Sequence, residues 1–133
     1  MTREPKRRLP PAKSWREREV SDWNVTTFTS YLTARHAERY GIPYVPGRGG
    51  WRMEQGAIKR MVGEHGPEVV RKFIDACFRE YRPTREYPAL NFTFMYAYMR
   101  GRVLPKVLAE VACANGRVAV NDSMSEEEIA GWL

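Results

Sequence analysis

The sequence predicts an all-α fold, a compact bundle of four to five helices. The stretch from Gly66 to Tyr81 repeats apolar residues at spacings of one, three and four, which is typical of a helix with one wide apolar face. Other stretches share this period and are separated by segments containing proline and glycine. Only residues 117–120 have the composition of a strand, and no partner strand is evident for them.

The helix that follows Gly66 is predicted to be the centre of the bundle. Pro67 favours the first helical position, where its missing N–H would have no partner. No other segment is as apolar on one side, so we expect the other helices to pack around this one. Its predicted buried face consists of Val69, Val70, Phe73, Ile74, Cys77, Phe78 and Tyr81.

Two helices are predicted before it. The first runs over about residues 25–40, with Asn24 or Asp22 as its N-cap and Gly41 at its C-terminal end. The segment that follows contains two prolines and three glycines, which argue against regular structure up to residue 52. The second helix is expected over about residues 53–64, with a short turn into the central helix.

Further helical segments are predicted after it. A proline-bounded loop over residues 82–88 comes first, and Asn91 then favours the N-cap of a fourth helix. Gly101 is expected to weaken or end this helix, and Pro105 to begin another helical segment. Residues 125–128 have the pattern of a capping box that opens a final helical turn.

The domain organisation predicted from charge is a basic flexible arm over 1–20, a helical domain over 21–116 and a C-terminal tail over 117–133. The arm has a net charge of +4, whereas from Val120 onward the tail carries four acidic residues and no basic one. We expect Trp15 to hold the arm against the body. The arm is interpreted either as a solvated disordered segment or as a contact to polyanions, and in the second case its candidate residues are Arg7, Arg8, Lys13 and Arg16.

Composition limits the class of protein. A net charge of +6 and a pI of about 9.6 favour polyanionic partners or an acidic surface on another protein. The two cysteines, Cys77 and Cys113, are expected to be buried free thiols, and the alternative is a disulfide between them. We find neither a signal-peptide pattern nor an apolar run of membrane-spanning length, and therefore expect a protein of the bacterial cytoplasm with no membrane partner.

No catalytic or metal-binding motif is evident. His36 and His65 have no cysteine or carboxylate at metal-ligand spacing. The glycine-rich segment 47–50 lacks the Lys-Ser/Thr pair of a phosphate-binding loop. The nucleophile elbow GxSxG is also absent. We therefore expect a non-enzymatic protein with no metal, cofactor or small-molecule substrate.

Two loops combine arginine with aromatic residues and are the predicted binding surfaces. Arginine pairs with phosphate or carboxylate, and tryptophan or tyrosine stacks on a base or fills a protein pocket. The alternative interpretation of the first loop is that Trp51 packs back on the core. The candidate partner-binding residues are Tyr44, Arg48, Trp51 and Arg52 in the first loop, and Arg82 and Arg85 in the second.

Three runs between Phe28 and Pro105 resemble small bacteriophage proteins: YLTARHAERYGIPYVPGRGG, IKRMVGEHGPEVVRKFIDACFREY and YPALNFTFMYAYMRGRVLP. Similar helical segments occur in accessory proteins of phage replication modules, where they follow a DNA-binding domain. The size and basic helical body also resemble small phage factors that bind host RNA polymerase and redirect transcription. In particular, the chain is similar to the early factor of phages infecting thermophilic bacteria, which engages the polymerase flap and its sigma factor.

The resemblance implies a phage regulator that binds host RNA polymerase, as core or as sigma-containing holoenzyme, and inhibits or redirects transcription. The resemblance includes no diagnostic motif, so it assigns no role to any individual residue. The alternative that it implies is a replication accessory protein that binds DNA or a helicase. The basic charge is also compatible with non-specific contact to nucleic acid.

Overall fold

The computed structural model describes residues 9–114, and within this range the chain is all-α, with four helices and no strand. The predicted fold class is confirmed. Helix α1 is Val25–Tyr40, α2 is Gly50–His65 and α3 is Pro67–Glu80. Helix α4 covers residues 92–114 without interruption, as an α-helical turn Phe92–Phe94, a π-helical segment Met95–Met99 and a longer α-helix Arg100–Ala114.

Helix α3 is the centre of the bundle, as its periodicity predicts. It contacts α2, α4 and the 3-10 turn Val20–Asp22. Val70, Phe73 and Ile74 are completely buried, whereas Tyr81 follows the helix as its C-cap and is half-buried. Burial of a large apolar side chain contributes roughly 1.5–3 kcal/mol, so this face is a main source of stability.

The predicted bounds of α1 are confirmed at both ends. The Asn24 side chain accepts a hydrogen bond from the Thr27 backbone N–H, and the Thr27 hydroxyl accepts one from the Asn24 backbone N–H. This reciprocal pair satisfies donors that the first helical turn leaves free. Gly41 ends the helix in the left-handed conformation, with φ of 70°, and its N–H bonds to the carbonyl of Ala37.

Helix α2 begins three residues earlier than predicted, at Gly50. Trp51 and Arg52 therefore belong to its first turn and not to a loop. Gly49 and Gly50 have φ of 94° and 69°, which side chains other than glycine rarely adopt, and they turn the chain into the helix. The Trp51 ring then stacks on Tyr44, with 4.9 Å between ring centroids, and this tertiary contact stabilises the additional turn.

The predicted break in α4 at Gly101 and Pro105 is wrong, because the helix continues through both residues. Proline inside a helix costs about 3 kcal/mol and glycine about 1 kcal/mol relative to alanine. Pro105 has no N–H to donate to the carbonyl of Gly101, four residues earlier. Because both residues are exposed, water can bond to that carbonyl instead. The opposite side of α4 buries apolar residues, and their burial outweighs that cost; they are Met95, Met99, Val103, Leu104 and Val107.

The segment 15–22 lies against the body of the protein. The Trp15 ring packs edge-on against Tyr31, with 4.7 Å between centroids, so Trp15 contacts the bundle as expected. The Trp23 indole N–H donates to the carbonyl of Arg18 and holds the adjoining turn. The rest of the predicted arm, the strand at 117–120, the acidic tail and the last helical turn lie outside the described residues.

Both described cysteines are free, but only Cys77 is buried; Cys113 is exposed near the end of α4, so its predicted burial is wrong. Burial raises the pKa of the Cys77 thiol well above its ordinary value. Among residues 9–114, no helix combines the length and the apolarity needed to cross a bilayer.

Candidate functional site

A groove of about 450 Å³ lies between the turn at residues 47–49, the loop at 81–91 and the first part of α4. The two loops singled out in the sequence therefore meet at one surface. We call this surface the aromatic groove, and its large lining side chains are Arg48, Met53, Tyr81, Tyr87, Phe94 and Tyr98.

One wall of the groove is a row of three aromatic rings. Tyr81 packs edge-on against Phe94, with 5.5 Å between centroids, and Phe94 packs against Tyr98 at 5.0 Å. Tyr98 is nevertheless 74% exposed, since it stands at the outer end of the row. It belongs to the π-helical segment of α4, a distortion that is frequent at functional sites. The wall therefore presents a large aromatic ring that the described part of the chain does not cover.

The loop that carries Tyr87 is held by hydrogen bonds. The Tyr81 hydroxyl donates to the carbonyl of Tyr87 at 2.5 Å, and the Thr84 N–H donates to the same carbonyl at 3.1 Å. The Tyr87 N–H donates to the Thr84 hydroxyl at 2.9 Å. Tyr87 is 59% exposed, so its ring is available at the edge of the groove while its backbone is bonded in place.

The opposite side of the groove is organised by a buried carboxylate. Glu54 is 1% exposed. One of its oxygens, Oε1, accepts from the Tyr44 hydroxyl at 2.6 Å. The other, Oε2, accepts from the Gly47 N–H at 2.9 Å, the Thr93 N–H at 3.0 Å and the Thr93 hydroxyl at 2.8 Å. Glu54 thus joins α2 to the turn at 47–49 and to the beginning of α4.

Tyr44 does not lie at a surface that a partner could contact. It is 9% exposed, and its hydroxyl donates to Glu54 and accepts from the Phe92 N–H at 2.7 Å. Burial and then the nearby Glu54 carboxylate raise its pKa, so the phenol stays protonated. This placement corrects its predicted role, because the sequence pattern does not show that a carboxylate ten residues away draws the ring inward.

Trp51 is half-buried and stacked on Tyr44. This is the alternative interpretation stated for the loop, in which the tryptophan packs back on the core. The predicted aromatic pair of the first loop is therefore a structural support for the groove and not its lining.

Gly47 allows the two sides of the groove to approach closely. A Cβ atom at this position would lie 2.5 Å from Cβ of Thr93 and 2.6 Å from its hydroxyl oxygen. Any side chain would push the turn away from α4 and would disturb the bonds to Glu54. The glycine-rich segment therefore serves a close backbone contact beside the groove.

The predicted arginines are distributed around the groove. Arg48 lines it and is exposed, whereas Arg82 and Arg85 lie exposed on the adjoining loop and do not line it. Arg52 lies exposed on α2. Within residues 9–114 none of the four forms an ion pair, so their charges are available to an acidic partner.

The described residues of the basic arm have different surroundings. Arg16 lies over the Trp15 ring, 4.3 Å from its centroid, and pairs with Glu38 at 3.3 Å. Such an exposed pair contributes at most about 1 kcal/mol. Lys13 is exposed, and Arg7 and Arg8 lie outside the described part of the chain.

The surroundings of the two histidines indicate structural roles and not metal binding. His36 is 2% exposed, and its Nδ1 bonds to the carbonyl of Ile42 at 3.2 Å, so Nδ1 carries the proton. Burial lowers the pKa of His36. His65 lies 3.9 Å from Glu64. In the described range, no group of three or more His, Cys, Asp and Glu side chains is placed to hold a metal ion.

Sequence reasoning missed Glu54 and Tyr98. Glu54 precedes Ile58 by four residues and Met61 by seven, which places an acidic residue on the apolar side of α2. That position was a readable signal of a buried polar role. Tyr98 had no such signal, because its exposure depends on how α4 packs in the folded chain.

Comparison of the chain with models of protein families, with curated proteins and with solved structures finds no match.

Proposed function

We propose that the protein is a non-enzymatic bacteriophage regulator that acts in the host cytoplasm by binding RNA polymerase through the aromatic groove. The observation that carries the proposal is the groove itself: a preformed concave surface with exposed aromatic rings and with Arg48, which forms no ion pair among the described residues. The choice of RNA polymerase as partner comes from the resemblance of the three sequence runs to small phage transcription factors.

The chemistry of the groove fits a protein segment. Aromatic and arginine side chains are enriched at the centres of protein interfaces, where they contribute most of the binding energy. Tyr87 and Tyr98 expose large rings, and Arg48 lies beside them. The volume is within the range of pockets that enclose a few side chains. We infer an occupying segment with apolar side chains and at least one carboxylate.

Preorganisation supports the same proposal. The Glu54 hydrogen bonds hold one side of the groove, and the Tyr81 and Thr84 bonds hold the loop on the other side. A partner therefore binds without the cost of ordering these segments. On this proposal transcription is inhibited or redirected because the bound protein displaces a mobile polymerase or sigma element, with no covalent chemistry.

Binding to purified bacterial RNA polymerase, as core and as sigma-containing holoenzyme, tests the proposal. In biolayer interferometry with the immobilised full chain we expect saturable binding. Tyr98→Ala should weaken it roughly 30-fold, because truncation of an interface hot spot costs about 2 kcal/mol. Arg48→Ala should weaken it less. The matched controls, Ile42→Ala and Arg79→Ala, change exposed residues outside the groove and should bind as the wild type does.

Two outcomes would contradict the proposal. The absence of polymerase binding would remove the named partner, and unchanged binding by Tyr98→Ala would remove the groove as the contact. Retention of the replicative helicase from the same cells, without polymerase, would favour the second candidate, a replication accessory protein.

A further inference from the structure

The outer side of α2 is a line of basic residues and glycines. Arg52, Gly56, Lys59 and Gly63 follow one another at spacings of four, three and four, so they lie one above another along one side of the helix. Arg60 adjoins Lys59, and all five residues are exposed. We call these five residues the basic ridge.

The charges of the basic ridge are not compensated. In the described part of the chain, Arg52, Lys59 and Arg60 form no ion pair, and the one exposed acidic residue of α2 is Glu64, in its last turn. On α3, by contrast, acidic residues stand among the basic ones, and Arg71 pairs with Asp75, while Arg102 of α4 pairs with Glu80. The positive face of α2 therefore differs from an ordinary solvated surface of mixed charge.

The two glycines of the basic ridge have no internal explanation. A Cβ atom at Gly56 or Gly63 would meet no atom within 4 Å, and both residues have negative φ. Glycine is less favourable than alanine inside a helix, so the pair destabilises α2. What it provides is bare backbone between basic side chains, where another molecule can approach the helix closely.

We propose that the basic ridge binds duplex DNA, with α2 lying in the major groove. Seven residues of helix span roughly 10 Å along its axis, so Arg52 and Lys59 lie about two turns apart along a groove that admits a helix. Their long side chains reach the phosphates that flank the groove, and the glycines let the helix axis approach the base edges. Phosphate contacts then supply most of the affinity.

The composition of the basic ridge selects duplex DNA among possible partners. A protein interface would need an aromatic or apolar residue at its centre, and the ridge has none. Single strands are held by stacking on aromatic side chains, which the ridge also lacks. The major groove of duplex RNA is too deep and narrow for side chains to read. No residue of the ridge lines the aromatic groove, so DNA binding is separate from the proposed polymerase contact.

Fluorescence anisotropy with a labelled 20-base-pair duplex of arbitrary sequence and the full chain tests the proposal. The variant Arg52→Ala/Lys59→Ala/Arg60→Ala should weaken binding at least tenfold and reduce the salt dependence, the slope of log K against log salt, by roughly 2 to 3. The matched control is Arg39→Ala/Lys72→Ala/Arg79→Ala, which removes the same charge from exposed positions on α1 and α3. It should retain affinity within about threefold, since only long-range attraction changes.

A glycine variant distinguishes docking of α2 in the DNA major groove from electrostatic attraction alone. Gly56→Leu keeps every charge and improves helix propensity, but it fills the bare position. We expect it to weaken duplex binding at least fivefold without lowering the melting temperature.

Four results would overturn the proposal. They are no duplex binding by the wild type, equal loss in the two triple variants, wild-type affinity in Gly56→Leu, and equal affinity for a single strand of the same sequence. None of these measurements involves polymerase, so the proposal fails or stands independently of the function proposed above.

Discussion

At the scale of single residues, Glu54 determines the geometry of the groove. Its carboxylate accepts four hydrogen bonds, from Tyr44 and Gly47, which precede it by ten and seven residues, and from Thr93, which follows it by 39. A buried carboxylate is costly unless donors replace the water that it loses. Among the described residues the donors do so without a cation, and removal of the charge would leave them competing for a poorer acceptor.

Glu54→Gln is expected to destabilise the protein by about 2–3 kcal/mol. The amide replaces an acceptor oxygen with a donor group that faces other donors, and hydrogen bonds to a charged group contribute roughly 1.5–3 kcal/mol each. Urea unfolding followed by far-UV circular dichroism measures the change. Glu64→Gln is the matched control, because Glu64 is exposed, and its effect should stay within about 0.5 kcal/mol. An equal effect of the two substitutions would contradict the structural role of Glu54.

At the scale of elements, α4 shows how tertiary packing overrides local signals. Gly101 and Pro105 are ordinary markers of a helix end, yet both lie on the exposed side while Val103, Leu104 and Val107 are buried. Proline removes one backbone hydrogen bond, whereas the buried side chains on each side of it contribute more. The continuous helix in turn presents Tyr98 at the aromatic groove.

Gly101→Ala should stabilise the protein by about 1 kcal/mol. The position is helical, and an added Cβ would meet no atom within 4 Å, so alanine acts only through helix propensity. Thermal unfolding measures the shift. Gly66→Ala is the contrasting variant: it also meets no atom, but φ is 89°, so it should destabilise. If Gly101→Ala failed to stabilise the protein, the helix could not be continuous at that residue.

At the scale of the whole molecule, one apolar core joins all four helices. Phe28 of α1, Ile58 of α2, Phe73 of α3 and Val103 of α4 are each completely buried in the same cluster. The preceding segment is joined to it through Trp15 and Tyr31, and the Tyr31 hydroxyl donates to Asp75 of α3. Because every element shares this core, we expect the described body to unfold as one cooperative unit.

Thiol labelling tests that cooperativity. In the native protein, Ellman's reagent should react rapidly with one thiol, the exposed Cys113, and should reach Cys77 only through unfolding. Burial and the raised pKa of Cys77 both suppress its thiolate. Cys113→Ser should therefore abolish the rapid phase and leave labelling at a rate that follows global stability. Two rapidly reacting thiols would show that the core opens locally around α3.

Much of the fold could be predicted from the sequence, because the signals involved act over four residues or fewer. Apolar periodicity identifies α3, and the caps Asn24, Gly41 and Asn91 and the first-turn Pro67 mark where helices begin or end. Each of these signals acts within a single helical turn, so it can be recognised in the sequence without knowledge of the tertiary structure. The two loops that border the groove could also be identified, from arginine and aromatic content alone.

Only the tertiary structure decided which side chains of those loops face outward. Tyr44 is buried because its hydroxyl is hydrogen-bonded to Glu54 and to the Phe92 N–H. Helix α4 continues through Pro105 because its opposite side is buried against α3. The added turn of α2 places Arg52 in line with Lys59 on the basic ridge. Each outcome depends on contacts between segments far apart in the chain, whose energies exceed the local preferences that a sequence pattern expresses.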